Sequence, residues 1–176
     1  MTNFSETYLN IIELIVPEGG MKEDLKNDIK SFFKNPQIAF NDSNEYIGVL
    51  CYRPEVTPKT SNLHEFYFFD ILTESFLQLI NGEVNKDELW RKMSVLLIVN
   101  DLNEFRSKLD YEIYENETKN YSWSNTNEII NSPNYKVYGL TVENDMAVGI
   151  INSKYFDKFQ ELISQTDIKL TVLSNI

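Results

Sequence analysis

Residues 135–151 read YKVYGLTVENDMAVGII, two apolar runs parted by the polar triplet Glu143-Asn144-Asp145. Aromatic and β-branched residues on both sides of a short polar break predict a β-hairpin over 135–142 and 146–151, with Asn144 suited to a left-handed turn position. Downstream, Ser153 is placed to cap a helix over 154–164, whose Tyr155, Phe156, Phe159, Leu162 and Ile163 recur at helical spacing. Residues 168–173 then supply a last strand.

Upstream of the hairpin, residues 116–134 are polar and rich in Asn, Ser and Thr, which predicts a loop. Residues 111–115 look like an edge strand guarded by Glu112 and Glu115. Asp101 is a candidate cap for a helix over 102–109, and the uninterrupted run 95–99 (VLLIV) resembles a central strand. Read from 94 to 173, the order is strand, helix, strand, hairpin, helix, strand. This predicts an α+β fold with a ferredoxin-like, split β-α-β antiparallel sheet and helices on one face.

The N-terminal part reads as a helical pair and a β-hairpin. Helices are predicted over 5–16, stopped by Pro17 and Gly19-Gly20, and over 22–34, stopped by Asn35-Pro36. The period changes to two at 38–40 and 46–52, which predicts the hairpin. Residues 53–62, with Pro54 and Pro58, form the candidate boundary between units 1–62 and 63–176, or a loop within one continuous domain. Residues 65–70 read as a strand feeding a helix over 73–80 or as part of one continuous helix, and the strand is preferred because FYFF would give a helix an apolar surface all round. Asn85 is a candidate cap for a helix over 86–92.

Charge and residue poverty bound the function. The 176 residues carry 27 acidic and 16 basic side chains, a net charge of -11, with a single histidine and a single cysteine. Such a field repels nucleic acid and anionic membrane and draws in basic partners. The residues that most often carry nucleophilic attack, metal binding and neutral-pH proton transfer are nearly absent. Cys51 has no disulfide partner in the chain, no basic leader or apolar span is readable, and a soluble cytoplasmic protein is expected.

Cys51, His64 and Asp70 include the residue types of a thiol hydrolase, but their spacing is no signature, and Cys51 reads as a packed thiol. One histidine and no Cys-x-x-Cys exclude an ordinary zinc site within one chain. Residues 41–45 lack the glycine and closing glutamate of a calcium loop, and no phosphate-binding glycine motif occurs. No cofactor is expected. Tyr135 and Tyr138 fall on opposite faces of one strand and so form no base-stacking platform, which argues with the charge against direct nucleic-acid binding.

What survives is an acidic stretch that runs into isolated aromatics: Glu112, Glu115 and Glu117, then Tyr121 and Trp123. Large rings among small polar residues resemble a contact loop whose glutamates would steer a cationic partner; the alternative is that Trp123 folds back to cover the sheet and the glutamates keep an edge soluble. The leading reading is a non-catalytic acidic protein that inhibits or neutralises a basic protein, such as a nucleic-acid enzyme, in the manner of immunity proteins, antitoxins or phage inhibitors. The alternative is a small enzyme or ligand sensor using carboxylates or Tyr in a pocket near the 53–62 boundary. A homo-oligomer burying the many Phe and Tyr rings is a third possibility.

Overall fold

The computed structural model describes residues 4–41, 48–80, 85–115, 123, 127–130 and 132–173. Among them, four strands form one antiparallel sheet: β1 (Gln78–Ile80), β2 (Tyr135–Val142), β3 (Asp145–Asn152) and β4 (Lys169–Val172), in spatial order β1-β3-β2-β4. The β2–β3 hairpin is its spine, with Tyr138 opposite Gly149 and Leu140 opposite Ala147. Only Glu143 and Asn144 separate the strands, and the left-handed residue is Glu143, at φ 52°, rather than Asn144.

The helices are α1 (Phe4–Ile15), α2 (Gly20–Lys34), α3 (Leu63–Ser75), α4 (Lys86–Val99), α5 (Arg106–Asp110), α6 (Asn127–Ile130) and α7 (Phe156–Ile163). They cover both faces of the sheet, not one. On the first face Tyr138, Leu140, Ala147 and Ile151 join residues of α1, α2, α3 and α7 in a core that crosses position 62. On the other, Val137, Val148 and Ile150 join Leu89, Met93, Leu96, Leu109, Ile113 and Trp123. The reason lies in the strands themselves: residues 137 to 140 and 147 to 151 carry no charged side chain, so neither face can be left to water.

Among the described residues three helices lie between β1 and β2 and one between β3 and β4, so the element order is β-α-α-α-β-β-α-β, and the ferredoxin-like arrangement is not confirmed. β4 pairs with β2, at the edge away from β1. Three predicted strands are helical instead. Residues 65–70 lie in α3, whose Phe66, Tyr67, Phe68 and Phe69 are all buried. An apolar girdle is no obstacle when other elements surround the helix: Tyr8 of α1 stacks on Phe68 at 4.5 Å, and Phe32 of α2 on Tyr67 at 4.0 Å. Burying each such ring is worth about 1.5–3 kcal/mol.

Residues 95–99 form the end of α4, with Leu96 and Leu97 buried and Ile98 exposed. Residues 111–115 make a π-helical turn that continues α5. The predicted 38–52 hairpin is replaced, in its described parts, by the 3-10 turns Pro36–Phe40 and Val49–Tyr52. Gly48 lets these turns meet, since a Cβ there would lie 2.5 Å from the Ala39 carbonyl carbon. The predicted 73–80 helix stops at Ser75, and its last residues become β1. Asn85 caps α4 by accepting from the Glu88 N–H, whereas Asp101 has φ 56° and caps nothing by its side chain. No helix among the described residues is long and apolar enough to cross a membrane.

Candidate functional site

Loop 53–62 leaves the 3-10 turn at Val49–Tyr52 and leads into α3, passing the β2–β3 turn on the way. Its first residue, Arg53, gathers the charges. The guanidinium donates through Nε and Nη2 to the two oxygens of Asp70 on α3, at 2.5 and 2.6 Å, and through Nη1 to Asp145 Oδ2 at 2.6 Å. Glu55 lies 3.6 Å from Nη1, and the Phe66 ring lies beneath, 5.1 Å from the guanidinium carbon. At the other end of the loop, Asn62 donates to Glu143 Oε1 at 3.3 Å. The loop therefore holds both sides of the hairpin turn, including the residue with positive φ.

Beside Arg53 opens a cleft of about 400 Å³ lined by Tyr52, Glu55, Asp70, Thr73, Glu74 and Asp145. A second recess of about 250 Å³, bounded by Glu55, Phe66, Glu143 and Asp145, shares the Arg53 wall. Negative charge is in excess here. Burial raises the Asp70 carboxyl above its ordinary range even against its bonds to Arg53, with Asp145 and Glu55 adding to the rise. Burial, then repulsion from Asp70 and Asp28, raises Glu74. Asp28 is raised by burial and by Asp24. One guanidinium does not neutralise this crowd.

The chemistry open to the cleft is narrow. Both Asp70 oxygens accept from Arg53, and the Thr73 hydroxyl donates to the Asp70 carbonyl. His64 is packed among Phe4, Phe32 and Phe33, and the Cys51 thiol donates to the Asn41 carbonyl. Cys51, His64 and Asp70 thus have separate partners and form no triad. No group of three or more His, Cys, Asp or Glu among the described residues could hold a metal ion. A further recess of about 240 Å³ runs beside residues 13–18, and the buried Lys22 in its wall already pairs with Glu13 and Glu18.

Of the predicted contact residues, Glu112 is half-buried and Glu115 exposed on the π-helical turn, while Glu117 and Tyr121 lie outside the described residues. Trp123 is only 8% exposed and packs in the second core, so its ring fills the interior instead of facing a partner. Among the described residues of this region, the aromatics that face water are Tyr111 and Tyr114, at 52% and 49% exposure. Tyr114 donates to Asp87 at 2.9 Å, and Trp90 donates through its indole N–H to Asp110 at 2.6 Å. This cluster escaped the sequence because residues 111–115 read as a strand and Trp90 lies twenty residues from Asp110. No protein-family model, curated protein or solved structure matches the chain.

Proposed function

We propose that the chain is a non-catalytic acidic binding protein that inhibits or neutralises a basic protein, with a nucleic-acid enzyme as the partner class best suited to its charge. The observation that carries this is the Arg53 cleft, where Glu55, Asp70, Glu74 and Asp145 surround one cation and two of the four carboxylates are held above their ordinary range. A recess in that electrostatic state favours an incoming ammonium or guanidinium, and the net charge of -11 speeds the encounter. Glu112, Glu115 and Glu117 are proposed to steer the approach.

The raised carboxyl of Glu74 also favours a second reading, an enzyme or sensor that uses Glu74 as an acid in the cleft. Against it, Asp70, the carboxylate whose charge helps to raise Glu74, spends both oxygens on Arg53. Affinity capture from source-cell extract separates the two. The binding reading expects a basic protein retained at low salt, released at high salt, and lost when Glu55 and Glu74 are changed to Lys. Retention indifferent to salt and to both substitutions defeats it.

A further inference from the structure

We infer that Asp87, Trp90, Asp110 and Tyr114 form a recognition site for an arginine side chain of the partner, occupied in the free protein by the chain's own Arg106. The inference deepens the binding reading above and rests on it. Asn85 fixes the start of α4, so Asp87 and Trp90, three residues apart, leave its first turns as neighbours. Asp110 closes α5, and Tyr114 follows on the π-helical turn.

The two side-chain hydrogen bonds, Trp90 to Asp110 and Tyr114 to Asp87, lock the rings 6.3 Å apart at an interplanar angle of 53°. Aromatics fixed in advance lose little freedom when a ligand stacks on them. Each carboxylate uses one oxygen in these bonds, and the other has no hydrogen-bond partner among the described residues. The surface therefore offers ring faces for a planar cation and acceptors for its N–H groups.

Arg106 shows what fits. Its guanidinium carbon lies 5.7 Å from the Trp90 ring centre, and among the described residues no carboxylate forms an ion pair with it. An exposed cation–π contact of this kind favours the bound arrangement by only about two- to fivefold. A partner arginine that also reaches Asp110 or Asp87 gains hydrogen bonds that Arg106 lacks, and so displaces it. Lysine is a poorer occupant, because an ammonium neither stacks on a ring nor donates as a planar fork.

The test is a titration of ¹⁵N-labelled full-length protein with an oligo-arginine peptide and an oligo-lysine peptide of equal length, at low salt. The Trp90 indole N–H resonance is expected to move while that of Trp123 stays, with the arginine peptide binding several-fold more tightly. Arg106→Ala is expected to tighten that binding by about two- to fivefold. Arg91→Ala removes the same charge from an exposed position on α4 and is expected to give a smaller gain. If the peptide binds but shifts only residues of the Arg53 cleft, or if the two Arg variants behave alike, the Trp90 site is wrong and the acidic-binder reading stands. Absence of any binding overturns both.

Discussion

Tyr138 stands in the middle of β2 with its ring 4.8 Å from Phe159 and over Gly149, and its hydroxyl is fully buried with no hydrogen-bond partner among the described residues. Burial alone drives the hydroxyl's pKa upward. A buried polar group without a partner costs about 1–3 kcal/mol, so Tyr138→Phe removes a penalty while leaving the ring in place. The expected gain is about 1–2 kcal/mol, read as a higher urea midpoint at unchanged slope. For a chain of this length that is roughly 2–8 °C in Tm.

A companion substitution fixes the geometry. A Cβ at position 149 would lie 2.5 Å from both Cζ and the hydroxyl oxygen of Tyr138, so Gly149→Ala should cost about 1–3 kcal/mol by overpacking. Because Cζ remains after Tyr138→Phe, the double variant should recover only part of that loss. Destabilisation by Tyr138→Phe alone would refute the reasoning, for it would mean that the hydroxyl is bonded in the folded chain.

The same chemical change elsewhere has the opposite sign: Tyr8 donates to the buried Glu65 carboxylate at 2.9 Å, so Tyr8→Phe should destabilise by about 2–3 kcal/mol in urea melts. Trp123→Ala should cost about 3–5 kcal/mol of stability through the cavity it opens, measured by calorimetry, with loss of stability preceding any loss of binding. Asp28, Asp70 and Glu74 hold their protons more tightly in the folded chain than in the unfolded one. Their contribution is therefore fully present below the ordinary carboxylate range and is lost as pH rises through their folded values. Glu74→Gln should flatten the fall in urea midpoint as pH rises above the ordinary carboxylate range, and an unchanged slope would remove Glu74 from the account.

Legibility along the chain followed local signal. The 135–152 hairpin, α2, α7 and the Asn85 cap were readable because period and polar breaks act within a few positions of one another, although Glu143 holds the left-handed turn position expected of Asn144 and Asn152, accepting from the Lys154 N–H, makes the cap expected of Ser153. Residues 65–70 and 95–99 were not, since a short apolar run is the same string whether it sits in a buried helix or a buried strand. Leu89, Met93, Leu96 and Leu97 did carry the helical spacing of α4, but it emerges only when the window reaches back past residue 92. The Arg53 cleft draws on residues 53, 55, 70, 74 and 145, and no local pattern links them. The acidic balance was readable from composition; which carboxylates share a recess was not.

The sandwiching of β2 and β3 between two cores has a consequence for how the molecule opens. Each is hydrogen-bonded on both edges and covered on both faces, whereas β4 has three of its four residues exposed. Amide exchange should accordingly be slowest at Tyr138, Leu140, Ala147 and Ile150, and should begin at the β4 edge. Partial unfolding then releases the C-terminal strand first and leaves the hairpin as the last cooperative unit, with the loop at 53–62 still clasping its turn.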